Sequence, residues 1–423
     1  MQLNPERRPS PLRNRLGAAA CLLLASGVPA VARADADSTA TWRLESTGLV
    51  YGERSRTKVL EPIARITRLY PSGQTLSAQV ALDVITGASP TGALPSNSVQ
   101  TTTSASGRSS SSAADEVPTN SFGDFRVAGD LEWQRPLGRL LTATTGTHYS
   151  HEKDYQSLGL DGKLSLEFLQ RLTTLTVGAG VNHDGVFPHG GTHAGLSDGS
   201  VVITRETNPK DVTTGLVGLS RILTRRWMVS ADLSRALERG YLTEPYKVVS
   251  LFDPQTGDNT GQVTEKRPNR RTRSDVLLSS VYHFDEDVLY LSYRNYWDDW
   301  GVASATYDVK YRIELDNHQF VQPHVRFYHQ SAARFFTFGL PNGPPLPDFA
   351  TSDYRLGALR TLTVGATYGF RLPSTPGEWT VSAEYIRQFG DGYPGTAVGS
   401  QQQVDLFPAL DIGSVVVGYT LEF

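Results

Sequence analysis

Cysteine is all but absent. The 423-residue chain has one, Cys21, and two methionines. One cysteine cannot close an intrachain disulfide, so a disulfide-stapled fold is excluded, as is a cysteine-built zinc centre. Long apolar runs are scarce as well. Hydrophobic residues make up 39% and the mean hydropathy is -0.30. A polytopic helical membrane protein is thereby excluded, because each span needs about 20 consecutive apolar residues. Strong charge of either sign is missing too. Forty basic and 43 acidic residues leave a net -3, and that balance gives no support to nucleic-acid binding. What is abundant is glycine, at 39, and aromatics, at 18 Tyr, 16 Phe and 6 Trp. Many aromatics at low hydropathy suit a β-rich chain.

The N-terminus has its own pattern. Arg7, Arg8, Arg13 and Arg15 precede Leu16–Ala32, a stretch without charge that includes Leu22, Leu23 and Leu24. Ala32-Arg33-Ala34 then offers a small-x-small cleavage site, with Ala34-Asp35-Ala36 as a second choice. This predicts a cleaved signal peptide over residues 1–34 rather than a membrane helix. Ala18-Ala19-Ala20-Cys21 is a poor lipidation box, because the apolar core continues past it. Cleavage removes five of the 40 basic and one of the 43 acidic residues, leaving 35 and 42, a net -7. The remainder, 35–423, has no cysteine and no internal repeat, and reads as one unit.

The last residues alternate. Val415, Val417, Tyr419, Leu421 and Phe423 interleave with Ser414, Val416, Gly418, Thr420 and Glu422. Period two means a strand with one apolar face. A terminal aromatic on such a strand resembles the C-terminal strand of bacterial outer-membrane barrels, and Tyr419, Leu421 and Phe423 are the candidate assembly signal for the barrel assembly machinery. The same alternation recurs at Leu158, Leu160, Gly162, Leu164, Leu166 and Phe168, and at Tyr307, Val309, Tyr311, Ile313 and Leu315. In a soluble sandwich the charged face would meet water; in a barrel it lines the lumen and the apolar face meets lipid.

Sixteen such segments are expected, near 42–52, 58–70, 74–85, 122–134, 139–150, 155–168, 172–183, 211–223, 226–237, 271–284, 287–297, 302–313, 319–330, 352–370, 377–389 and 408–423. With both ends periplasmic, odd connections face outward. The long ones, 86–121, 184–210, 238–270, 331–351 and 390–407, are all odd, and every even connection is short. Long outer loops and short periplasmic turns are the outer-membrane pattern. The expected fold is therefore an all-β transmembrane antiparallel barrel of sixteen strands. Leu216, Leu219, Leu223, Trp227 and Ala231 also fit a helix stripe, so 211–237 leaves fourteen strands as the alternative. Residues 96–121, with nine Ser and four Thr, read as a low-complexity outer loop without a core, expected to be disordered.

A family resemblance rests on an ordered series of short motifs. They are Thr86-Gly87-Ala88-Ser89-Pro90, Ser150-x-Glu152-x-Asp154-Tyr155-x-Ser157 and Gly240-Tyr241-Leu242-Thr243-Glu244-Pro245-Tyr246-Lys247. Arg267-Pro268, Tyr293-Arg294-x-Tyr296-x-Asp298-Asp299-Trp300-Gly301 and Ser352-Asp353-Tyr354-Arg355-Leu356 follow. Over about residues 45–423 this series resembles the bacterial outer-membrane barrel family catalogued as domain of unknown function three-five-seven-zero. The resemblance implies fold and location, and no substrate.

Candidate lumen-lining residues are Asp161, Lys163, Glu167, Arg294, Asp308, Lys310, Arg312, Arg326, Asp353, Arg355 and Glu384. Both signs are present, which fits bracing ion pairs or a transport path; one sign alone would have indicated ion selectivity. Tyr241, Pro245, Tyr246, Trp297, Asp298, Asp299 and Trp300 fall where strands meet outer loops, the place of aromatic girdles or of a ligand-binding mouth. His183, Asp184, His189 and His193 have ligand chemistry but sit among glycines with nothing to fix their spacing, so no metal site is expected. Lys266, Arg267, Arg270, Arg271 and Arg273 could meet lipopolysaccharide phosphates or stay solvated. His148 and Ser150 share a face but stand about 7 Å apart along a strand, too far for a direct bond, and no Gly-x-Ser-x-Gly elbow exists.

These readings converge on an outer-membrane β-barrel that passes or binds a small solute. The alternative is a docking barrel with its lumen closed by ion pairs, and a lipid-acting barrel enzyme ranks below both. No enzyme activity and no cofactor are expected. The expected partners are outer-membrane lipid, lipopolysaccharide and the assembly machinery, with a periplasmic partner left open.

Overall fold

A chain that alternates apolar and polar residues over a dozen positions satisfies both faces only if each meets a different surrounding. Sixteen such segments here pair edge to edge until no edge remains. The computed structural model describes residues 41–54, 56–95, 100–103, 109–112, 117–204, 206–315, 319–373 and 375–423. The signal peptide expected at 1–34 lies outside the described residues.

The barrel strands are β1 (Thr41–Glu53), β2 (Thr57–Leu69), β3 (Thr75–Pro90), β4 (Thr119–Pro136), β5 (Leu141–His151), β6 (Tyr155–Phe168), β7 (Thr173–Val186) and β8 (Asn208–Thr224). The second half adds β9 (Trp227–Gly240), β10 (Arg270–His283), β11 (Val288–Asp298), β12 (Ala303–Glu314), β13 (Phe320–Gln330), β14 (Leu359–Phe370), β15 (Glu378–Gly390) and β16 (Leu410–Glu422). They form a closed antiparallel barrel in chain order. β16 closes on β1 with Val417 opposite Gly48, and the Phe423 N–H donates to the Trp42 carbonyl at 2.9 Å. Closure leaves no unpaired ladder for another chain to extend.

The outside is an apolar band. Leu160 is 58% exposed, Leu131 55% and Val181 52%, and their sequence neighbours Asp161, Asp130 and Asn182 take the lumen parity. An apolar surface of this extent is tolerated only against lipid. Aromatics gather where the periplasmic turns begin. Trp227, Tyr282, Phe284 and Tyr311 pack edge to face in series, and Trp379 meets Tyr419 at 4.6 Å between centroids. Arg68 lies over the Trp42 and Tyr70 rings, keeping its charge at the rim.

Two expectations are settled here. Segment 211–237 is two strands: β8 and β9 pair from Lys210 opposite Gly240 to Thr224 opposite Trp227. The helix stripe loses because neighbouring strands supply every backbone partner while lipid takes Leu219 and Leu233. The strand expected over 352–370 is shorter. It begins at Leu359, because Asp353 Oδ1 accepts the Arg355 N–H at 3.1 Å and turns Tyr354–Leu356 into a short 3-10 segment. Within the Ser/Thr-rich insert expected to be disordered, Gln100–Thr103 pairs antiparallel with Ser109–Ser112; the other residues of 96–116 lie outside the described ones.

The long outer connections fold together over the mouth. Val248–Phe252 pairs with Asn259–Thr264 and, in parallel, with Gly339–Pro341. Val249, Val263 and Ala350 form one small core, and Leu94, Ala397 and Leu406 another. Each fully buried aliphatic side chain contributes about 1.5–3 kcal/mol. The loops thus have cores of their own and make a packed cap.

Candidate functional site

The cavity lies between the cap and one half of the barrel wall. Its volume is about 560 Å³. Strands β6 to β13 supply its sides. Residues 241–245, Arg267, Trp300, Val302 and 353–356 form the roof. The same alternation that puts Leu158 and Leu160 into lipid turns Asp161 and Lys163 inward, and the lumen face of β10 and β11 brings Arg271, Arg273, Asp275 and Arg294.

Several wall charges are paired across strands, two of them between neighbours and one spanning an intervening strand. Arg294 reaches Asp275 at 2.9 Å, Arg273 reaches Glu238 at 2.7 Å, and Lys163 approaches Glu132 at 3.8 Å. Such pairs fix side chains across the lumen face; a lone charge there would hold a freer counter-ion.

The roof is pinned by a buried ionic cluster. Glu265, 1% exposed, pairs with Arg267 and accepts from its guanidinium at 3.1 Å, from the Glu244 N–H at 2.6 Å and from the Thr351 hydroxyl. Arg267 also meets Asp353 at 2.8 Å, and Arg355 bridges Asp353 and Glu244. Lys247 donates to the Pro90 carbonyl and so ties this cluster to the end of β3. Burial alone would raise the Asp353 carboxyl; Arg355, Lys247 and Arg267 outweigh it and hold the group well below the usual carboxylate range. Removing Arg267 strands the buried Glu265.

Trp300 keys the roof to the wall. It is buried with Val302, Ala333 and Leu356, its ring meets Phe335 at 5.1 Å, and Arg271 sits 4.4 Å over its face. Its indole N–H donates to the Arg270 carbonyl at 2.8 Å. Asp298 organises the turn beneath: it accepts from Arg271 at 2.9 Å, from the Tyr296 hydroxyl at 2.8 Å and from the Val302 N–H at 2.9 Å.

Beside the roof, Tyr246 donates to Asp154 Oδ2 at 2.9 Å. Burial pushes the Asp154 carboxyl up to about 7, against the Tyr246 bond and with further push from Asp124, Glu152 and Glu244. Tyr241 is also raised, by burial first and by Glu244 and Glu265 next. Tyr246 is raised as well, by burial first and by Asp154 next, so both hydroxyls stay neutral at physiological pH.

The expected lumen residues separate into two groups. Asp161, Lys163, Arg294, Asp353 and Arg355 line the cavity, although Asp353 and Arg355 come from the cap and not, as expected, from a strand. Asp308, Lys310 and Arg312 on β12, Arg326 on β13 and Glu384 on β15 lie away from it, on the wall's other sector. There His324 bridges Asp308 Oδ2 at 2.9 Å and Glu384 Oε1 at 2.7 Å, with Arg326 at 2.6 Å from Asp308. His324 was missed by the sequence reading, yet it shares parity with Arg326 two residues on. Arg312 stays with Glu314 and the Phe320 ring, and Glu167 with Arg171 at 3.5 Å.

Several loop readings change. Trp297 is 44% exposed, as a girdle residue would be, whereas Tyr241, Pro245 and Trp300 line the cavity. Exposed aromatics thus stand at both rims, with Phe125, Tyr149 and Trp297 near the outer loop bases, while the residues that the cap covers turn inward. The basic run does not face lipopolysaccharide through Arg267, Arg271 or Arg273: these pair with Glu265, Asp298 and Glu238. β7 puts His183 and Asp184 on opposite faces, His183 against Asp211 at 2.7 Å and Asp184 inward against Tyr155, Ser157 and Lys210. His148 turns to Asp130 at 2.6 Å.

The comparisons with known proteins follow this geometry. The model of a family described as Protein of unknown function (DUF3570) matches residues 13–421. No curated protein matches. Among solved structures, the TodX deltaS2S3 mutant monoaromatic hydrocarbon channel is similar at 10% identity, over 92% of this chain and 91% of that one, with a TM-score of 0.42. The toluene transporter TodX of P. putida is similar at 10% identity over 92% and 91%, TM-score 0.39. The outer membrane protein OpdK of Pseudomonas aeruginosa is similar at 10% over 91% and 99%, TM-score 0.39.

Proposed function

Because the chain belongs to the family described as Protein of unknown function (DUF3570), whose description assigns no activity, we propose a function from its lumen: an outer-membrane barrel that admits a small polar solute into the cavity beneath its cap. The observation that carries this reading is that cavity, about 560 Å³ and walled by charges of both signs. A volume of that size suits a small molecule. Paired charges of both signs suit a polar or zwitterionic solute better than a simple ion, which a ladder of one sign would select. Sixteen strands give a lumen wide enough for water unless something fills it. Here the cap fills its outer end, so passage requires the cap to shift.

The outer membrane is the fitting location. An apolar outer band, an aromatic periplasmic rim and long outer loops support it, and the signal peptide expected over 1–34 would provide export.

A second reading rests on the ion pairs along the wall. Asp308, His324, Arg326 and Glu384 form a chain on one sector, and such chains would serve a docking barrel with a closed lumen. Planar-bilayer conductance separates the two. Wild-type protein should give discrete steps, and Arg267→Ala, which loosens the roof, should give larger or more frequent ones. Silence from both proteins would sink the transport reading and leave the docking one.

A further inference from the structure

Three carboxylates meet at the outer mouth for which neither the transport reading nor the roof cluster has a use. We propose that Asp124, Glu152 and Asp154 hold a hard divalent cation, Ca²⁺ by its tolerance of irregular oxygen geometry, at the edge of the cavity.

The elements bring them together simply. β4 descends from the mouth and β5 climbs back beside it, with Val127 opposite His151. Asp124 near the top of β4 therefore neighbours the short turn that follows β5, which carries Glu152 and Asp154. Each of the three offers one oxygen, and these oxygens all lie within 4.8 Å of one another. Ca²⁺ accepts oxygens at about 2.4 Å in flexible geometry, which ligands drawn from one strand and one turn can supply, whereas Mg²⁺ demands a near-ideal octahedron. Carboxylate oxygens without sulfur or imidazole favour a hard ion over a late transition metal.

Burial makes the site more than an acidic patch. Asp124 is 8% exposed, Glu152 6% and Asp154 3%. Asp124 Oδ1 accepts the Phe125 N–H at 2.9 Å, and Asp154 Oδ2 accepts the Tyr246 hydroxyl. The second oxygen of each, Asp124 Oδ2 and Asp154 Oδ1, is buried and accepts nothing among the described residues. A buried carboxylate oxygen left unsatisfied is costly and asks for a partner. The nearby cations act on the other two carboxylates: Arg126, held by Asp83, also faces Glu152, and solvent-exposed Lys153 faces Asp124, while the charges acting on Asp154 are those of acids. Glu152 and Asp154 also line the cavity, so an ion can reach them from it.

The test uses the full barrel in detergent, with Tb³⁺ as a Ca²⁺ probe whose emission Tyr155 and Tyr246 sensitise. Wild-type protein should show saturable luminescence that Ca²⁺ competes away at lower concentration than Mg²⁺. Asp154→Asn and Glu152→Gln should each weaken Ca²⁺ competition at least tenfold, while Asp211→Asn, on the outer face with His183, should leave it unchanged. Faster migration of the unboiled protein on SDS gels checks that each variant is folded. Calorimetry with Ca²⁺ on the wild-type protein gives a second readout that depends on no variant. Absence of saturable binding at millimolar Ca²⁺, or equal binding by folded Asp154→Asn, would overturn the site; the first result would mean that two carboxyls share a proton there. Neither result bears on conductance, so the transport reading stands or falls separately.

Discussion

At the scale of the residue, the roof cluster is where single changes should tell most. Glu265 is buried and depends on Arg267 for its counter-charge. Breaking a buried pair by removing one partner costs about 3–5 kcal/mol. Arg267→Ala should therefore undock the cap, seen as new protease cleavage within 241–269 and 331–358 while the barrel stays heat-modifiable. Asp353 adds a pH dependence. Its carboxyl is held below its ordinary 3.8, so its contribution is complete above that value and is lost as pH falls through the folded value. Trp300 fluorescence or loop proteolysis should show this part of the cap steady between pH 8 and 5 and loosening below about 3.8. Asp353→Asn should remove that acid-side step. Trp300→Ala should cost the cap about 3–5 kcal/mol, since it empties a packed site and leaves the Arg270 carbonyl without its indole donor.

Among the elements, the last strand and one turn carry distinct roles. β16 pairs with both β15 and β1, so it is the strand that closes the barrel. Its outward residues Tyr419, Leu421 and Phe423 remain the proposed assembly signal. Deleting Phe423 should lower the yield of heat-modifiable barrel in outer-membrane fractions by several-fold and leave the melting of whatever barrel does fold nearly unchanged. Equal yields would remove the assembly role. The turn after β11 shows why one motif glycine is needed. Gly301 has φ +95°, and a Cβ there would approach the Arg334 side chain at 2.8 Å. Gly301→Val should therefore displace Trp300 from its pocket, because a β-branched residue resists positive φ. Loss of the buried-indole emission would report it. This turn also shows the limit of the motif. Asp298, Asp299 and Trp300 read as interface residues by composition, and only the fold reveals Asp298 as the organiser of a turn and Trp300 as the key of a roof.

For the whole molecule, barrel and cap are two structures with different logic. The barrel follows from period two, parity of loop lengths and a terminal aromatic strand, each visible locally. All sixteen expected strands occur, and the main error, starting one at 352 instead of 359, came from extending alternation into a capped turn. The cap has no such period. Its contacts join residues far apart in the chain, such as Glu265 with Thr351, Lys247 with Pro90 and Gln401 with Gly257. The candidate lumen set was accordingly legible where strands carry it, as with Asp161, Lys163 and Arg294. His324 passed unseen although its parity was available, because a histidine among charged neighbours does not announce two carboxylate partners.

The sequence by itself determined which segments become strands, which face of each meets lipid and which loops are long, because those properties depend on spacing along one segment and on its immediate surroundings. Only the tertiary structure decided that the long loops fold over the mouth, that the basic run turns inward to buried acids and that three carboxylates from one strand and one turn converge. Those outcomes depend on which distant segments meet, and barrel closure sets that, since it fixes the strand ends around a ring and holds the loops within reach of one another.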